Sequence, residues 1–199
     1  VSQLQLLGRE ESVPALAALL SDPELCAPAA RALAAQRTPA GDAALRAALG
    51  AASGHGAAAL LQALSGSNDP AVGSALAARL NDPDLGALAR ELLARRGDPA
   101  VLPTLWEEAR AGLPGAQARI LRYAGSLARA GAPPAAGLCR ELLAAPWAAE
   151  EPHFRCAALS ALAEALGAAI LPDLLAAQDE PDPVFREHAL ALAEALPGP

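Results

Sequence analysis

His153 and Cys156 stand three residues apart in "EEPHFRC", a spacing that puts both on one face of a helix, and imidazole with thiolate is a pair that zinc accepts. A closed zinc site wants four donors, and the next histidine, His188, lies far along the chain. The pair therefore reads as a helix-start histidine beside a buried thiol, with no metal expected. Glu107–Glu108, Glu150–Glu151 and "DEPDP" (179–183) are carboxylate clusters that could divide acid and base roles in a hydrolysis. They fall at helix ends and turns, where solvated charge is the ordinary role. His55 in "SGHGA" reads as a turn residue. No G-x-S-x-G, H-E-x-x-H, G-x-G-x-x-G or C-x-x-C occurs, and "GSNDPAVG" (66–73) has two glycines but no basic residue to hold a phosphate. With no lysine in the chain, a Schiff base and a P-loop are both excluded. No catalytic residue, metal or cofactor is expected.

Recognition chemistry is better represented. Aromatics make up only 3% of the chain, so Trp106, Trp147, Tyr123 and Phe185 stand out. Trp147, in "LLAAPWAAEEPHF", falls in a long inter-helix segment, roughly 145–152, either as a contact for a partner or as packing for the loop. Trp106 keeps helical spacing with Leu102 and Leu105 and suits a packing ridge equally well. Arg119, Arg122, Arg129 and Arg140 form a modest basic patch, read as a solvated face or as a contact for an anionic peptide or phosphate. The candidate binding residues are Trp147, Trp106, Tyr123, Arg119 and Arg122, joined below by Arg155 and Arg186.

The elements that must carry these residues follow from composition. Ala accounts for 55 residues, and Leu is the other dominant type; both favour helix, while β-branched and aromatic residues are sparse. An all-α chain is expected. Lysine is absent and every guanidinium or ammonium side chain is Arg, as GC-rich coding would produce. The net charge of −7 argues against nucleic acid, whose binding draws on a basic surface. Pro, Gly, Asp and Arg cut the apolar runs, so no membrane span is expected. Three cysteines without clustered spacing, Cys26, Cys139 and Cys156, read as buried small residues and lean towards a reducing, cytoplasmic setting. A start at Val1 reads as a processed or excised chain, for which export stays open.

One phrase then recurs along the sequence. Its first half holds a Pro followed by Leu/Ala spacing: "SVPALAALL" (12–20), "AVLPTLWEEAR" (100–110), "AAILPDLLAAQ" (168–178). Its second half follows a polar break: "DPELCAPAARALAAQ" (22–36), "DPDLGALARELLARRG" (82–97), "FRCAALSALAEALG" (154–167), "FREHALALAEAL" (185–196). Proline is tolerated in a first helical turn, aspartate before it caps or turns the chain, and glycine suits a helix end, as at Gly97, Gly131 and Gly167. The phrase recurs every 27 to 36 residues on anchors at Cys26, Ser53, Gly86, Arg119, Arg155 and Arg186. The units are 12–37, 40–66, 70–97, 99–131, 133–167 and 168–196, with short or bent helices in the Gly- and Ser-rich second. Residues 1–11, with "QLQLLG" at 3–8, read as the tail of a preceding repeat. About twelve helices in antiparallel pairs are expected, stacked as a right-handed α-solenoid with Phe154, Leu159, Leu162, Leu166, Leu190, Leu192 and Leu196 buried.

Together, the Pro-containing first helix, "LLSDPE" or "DPVFR" at the break and "AALSALAEALG" in the second helix resemble HEAT repeats of the Ala-rich bacterial type, across essentially the whole chain. The resemblance implies six helical hairpins and a ladder between an Asp near each turn and an Arg early in the second helix. Arg155 and Arg186 match the Arg position, and Asp22, Asp82, Asp179 and Asp182 lie near the turns, whereas Cys26 and Gly86 interrupt the series. Arg186 is expected to meet Asp179, Asp182 or its preceding turn, and Arg155 to do the same in its own repeat. The resemblance further implies a non-catalytic scaffold for a protein or another domain of the same polypeptide rather than a small molecule. HEAT-like DNA glycosylases and bilin lyases supply the enzymatic alternative, marked in the first case by a positive groove with a Trp at its centre.

Overall fold

The computed structural model describes residues 10–67, 69–149 and 151–196, and these are helical throughout, with no strand. The stretch 3–8 and Glu150 lie outside the described residues. The chain divides into two compact units, Val1–Leu93 and Ala94–Pro199.

In the first unit the helices are α1 (Val13–Ala18), α2 (Cys26–Gln36), α3 (Pro39–Ala51), α4 (Gly54–Leu64) and α5 (Pro70–Ala77); α6 (Gly86–Arg96) runs across the division. Proline stands in the first turn of α1, α3 and α5, where its missing N–H costs no helical bond. The Asp-Pro dipeptides act in two ways. Asp22 accepts from the backbone N–H groups of Glu24 and Leu25, and Asp82 from those of Asp84 and Leu85, which closes the turn inside a hairpin. Asp69 instead caps a helix start by accepting from Ala71 N–H at 2.9 Å. The helices of 40–66 run to 13 and 11 residues and are not short. Thr38 caps α3, accepting from Gly41 N–H at 3.1 Å, and the residues Ala52 and Ser53 form the break between α3 and α4 rather than lying inside either.

Helix α2 packs on α1, α3 and α4, and α3 on α4. Leu16, Leu33, Leu45, Leu60, Leu61 and Leu64 fill these contacts and are fully buried, each worth about 1.5–3 kcal/mol of transfer free energy. Ala29, Ala30 and Ala32 are buried among them.

The second unit holds α7 (Leu102–Arg110), α8 (Ala116–Arg129), α9 (Ala135–Leu143), α10 (Pro152–Leu166), α11 (Leu171–Ala176) and α12 (Pro183–Glu194). Gly97, Gly131 and Gly167 end helices with φ of 68°, 62° and 56°, positive values that glycine adopts at no steric cost; Gly167, with ψ −132°, takes a conformation that residues with a Cβ essentially do not reach. Asp98 and Asp182 cap helix starts as Asp69 does. Helix α10 packs on α8, α9 and α12 through Phe154, Ala158, Leu159 and Leu162, which are buried as expected. Leu166, Leu192 and Leu196 are half-buried, and Leu190 is 52% exposed, contrary to expectation. Helix α12 packs on α10 and α11, and Leu190 and Val184 lie on its outward side.

A second difference concerns the membrane test. The stretch Pro152–Asp179 is apolar and long enough to span a bilayer, with a mean hydropathy of 1.6 over its most apolar window. It runs unbroken through helix classes because the 3-10 turn Gly167–Ile170 joins α10 to α11. Gly167 bends it there, and its buried side chains face other helices of the unit.

Candidate functional site

Trp106 lies on α7 and Trp147 on a short 3-10 turn, Pro146–Ala148, between α9 and α10. Both open onto one shallow depression of about 490 Å³, lined also by Arg110, Glu141 and Pro146. Each ring has a partner behind it. The Arg110 guanidinium lies 5.2 Å from the Trp106 ring, an attractive geometry for a cation over an aromatic face. Trp147 meets Phe154 edge-on, with centroids 5.0 Å apart at 66°. The loop tryptophan thus does packing work and still presents surface. One cation and one anion share the rim, so the depression is not the positive groove around a Trp that a glycosylase reading expects.

Comparison with protein-family models, curated proteins and solved structures finds no match.

Other candidate residues stand elsewhere. Tyr123 is 2% exposed, so it belongs to the core of the second unit rather than to a binding surface. Burial, and then the charge of Asp98, raise its phenol above the usual range. Two of the four arginines of the basic patch are neutralised: Arg119 pairs with Glu108, and Arg140 forms a two-pronged bond to Asp173 at 3.0 and 2.8 Å. That fork holds the Asp173 carboxyl below its ordinary range. Arg122 is exposed on α8.

Arg186 behaves as expected towards its turn, donating through Nη1 to the carbonyls of Glu180 at 2.7 Å and Pro181 at 2.8 Å. Arg155 does not repeat this in its own hairpin. It reaches forward to Glu180 at 2.8 Å and lies 4.2 Å over the Phe185 ring, because both its anion and its aromatic partner belong to the next hairpin. The interruption at Gly86 is also resolved. Arg90, one helical turn later, donates through Nη1 to Leu80 O at 2.7 Å, and Leu80 precedes Gly86 by the same interval as Glu180 precedes Arg186. A Cβ at position 86 would lie 2.6 Å from that carbonyl, so glycine makes the room that Arg90 uses.

The sites suggested for chemistry are taken up by structure. His153 is exposed, the Cys156 thiol lies 3.9 Å from Val184 O, and no group of three His, Cys, Asp or Glu side chains gathers for a metal among the described residues. Of the carboxylates, Glu108 and Glu180 are in ion pairs and Asp182 is a cap. Ser160 and His188 meet at 2.8 Å, a pairing that lay unmarked in the sequence. The Ser160 hydroxyl also lies 3.0 Å from Cys156 O, one turn earlier on its own helix, so its single hydrogen can serve either that carbonyl or the His188 ring. Cys139 is buried, which pushes its thiol up to about 11. Burial raises Cys26 and Cys156 as well.

Sequence reasoning missed a larger feature in the first unit. A trough of about 980 Å³ runs between α2 and α4. Its floor is alanine, with Ala34 and Ala35 facing Ala58, Ala59 and Ala63, and its polar rim includes Arg31, Arg37, His55 and Asp42. The signal was present as Arg31 falling on the Ala27/Ala34 face of α2, but alanine so dominates the composition that no stripe stood out.

Proposed function

We propose that the chain is a non-catalytic helical-repeat scaffold of HEAT-like kind, binding another protein or a domain of the same polypeptide through the Trp106–Trp147 depression. In this reading six hairpins stack as a right-handed α-solenoid, and the packing of α2 on α4 and of α10 on both α8 and α12 supports repeated second-helix contacts within each unit. The observation that carries the proposal is that both tryptophans of the chain open onto one shallow surface, although they come from different hairpins. Tryptophan with a neighbouring arginine is the residue chemistry that concentrates binding energy at protein interfaces. The mixed rim charge of Arg110 and Glu141 favours a protein surface over a polyanion.

The test is affinity capture with the protein and its Trp106→Ala/Trp147→Ala double variant, beside a duplex-DNA binding assay at about 0.15 M salt. A specific protein retained by the native chain and lost by the variant is the expected result. Tight, salt-sensitive DNA binding with no protein partner would overturn the proposal.

A further inference from the structure

The trough of the first unit is a separate surface, and its charges are unevenly compensated. Its carboxylates are occupied: Asp42 accepts from Ser67 Oγ, while Asp69 accepts from Ala71 N–H and pairs with Arg46 at 3.0 Å. Its guanidinium groups are not. Arg31 and Arg37 are both exposed and make no ion pair with any described residue, in a chain of net charge −7. With Asp69 paired to Arg46, the trough's lining sets the two guanidinium groups of Arg31 and Arg37 against the one remaining carboxylate, Asp42, so the balance a ligand meets is positive although the protein is acidic.

Arg37 also sits where the local backbone does not favour it. It ends α2 with φ 50° and ψ 43°, the only non-glycine residue at positive φ among the described residues. The corresponding ends before Gly97, Gly131 and Gly167 use glycine. A side chain kept in the left-handed region against its own preference points to a role beyond the fold.

We propose that the trough between α2 and α4 binds an acidic amphipathic helix of a partner protein, with Arg31 and Arg37 meeting its carboxylates. The floor explains why a helix fits. Each wall is an 11-residue helix, about 16 Å long, and small alanine side chains let a third helix approach closely enough for its large apolar residues to fill the space.

The probe is a labelled acidic peptide of about 16 residues, Leu on one face and Glu on its flanks, compared with its Glu→Gln twin by fluorescence anisotropy. The acidic peptide should bind about tenfold more tightly than the twin, since several carboxylates contribute. Arg31→Ala and Arg37→Gly should each weaken it about fivefold, while Arg95→Ala, which removes an exposed charge outside the trough, should leave it unchanged. Arg37→Gly should at the same time raise the melting temperature, which separates ligand binding from a purely structural role. Equal binding of the two peptides, no binding of either, or a lower melting temperature for Arg37→Gly would overturn the proposal. So would preferred binding of duplex DNA through the same arginines, or a dimer of the chain that Arg31→Ala dissociates.

Discussion

In the first unit, Arg31 and Arg37 stand over a floor of alanine with no carboxylate paired to them among the described residues; in the second, Arg110 and Glu141 share a rim around two tryptophans. The cores beneath are built alike, from buried Leu and Ala on helical faces. Both units spend arginines on carboxylates of other elements, Arg46 on Asp69 in the first and Arg140 on Asp173 and Arg155 on Glu180 in the second. One packing chemistry thus carries two kinds of surface, which differ in what lies beside the cations: an alanine floor in the first, two tryptophans in the second.

The likeness of the cores gives the largest expected effect. Leu33→Ala in the first unit and Leu162→Ala in the second each remove a fully buried side chain and should each cost about 2–5 kcal/mol in urea denaturation. A loss below about 0.5 kcal/mol at either site would break the comparison, by showing that one unit's apolar face is not where the packing places it. Next comes Gly86→Ala. Its Cβ would meet Leu80 O at 2.6 Å, so the turn must shift or Arg90 must leave, at about 1–3 kcal/mol; an unchanged melting curve would remove the account of Arg90 given above. Trp147→Ala should cost about 1 kcal/mol through the lost edge-on contact with Phe154, visible also as a weakened near-ultraviolet dichroism signal.

Smallest is the acid response of the inter-hairpin pair. Asp173 has a folded pKa below its ordinary 3.8, so its contribution is complete above that value and is lost as pH falls through the depressed folded value. The Arg140 side chain is 52% exposed, and solvent screening limits the pair to at most about 1 kcal/mol. Melting temperatures measured from pH 5 down to pH 2.5 should converge for the native chain and Asp173→Asn. Parallel curves over that range would show that the pair contributes nothing to stability.

The helices and their limits were legible because their causes are local. Pro in the first turn, Asp before Pro and Gly97, Gly131 and Gly167 each act within a few residues of themselves, and each stands where sequence reading put it. The length of the helices in 40–66 is less legible because "GAASGHG" reads as weakening them, whereas its Ala52 and Ser53 separate α3 from α4. Side-chain partners were less legible because they are settled through space. Nothing near Arg155 in sequence says that it will reach forward to Glu180, and nothing near Tyr123 says that it will be enclosed. Trp106 and Trp147 were recognised singly, but their meeting depends on how α7 and the Pro146–Ala148 turn are brought together.

The exchange at Gly86 and Arg90 has a consequence for how such repeats can diverge. The Leu80 carbonyl takes a guanidinium from position 90, whereas in the last hairpin the carbonyl of Glu180 takes one from Arg186, six residues on rather than ten. Gly86→Arg alone crowds an occupied carbonyl, and Arg90→Ala alone leaves it without its donor. Both changes together would still leave a Cβ 2.6 Å from that carbonyl, so an arginine can serve it from position 86 only once the turn around Leu80 has shifted. The two positions are therefore coupled through the backbone of the turn as well as through the shared carbonyl. Two hairpins thus make one kind of polar contact, a guanidinium on a turn carbonyl, from arginines that do not align in sequence.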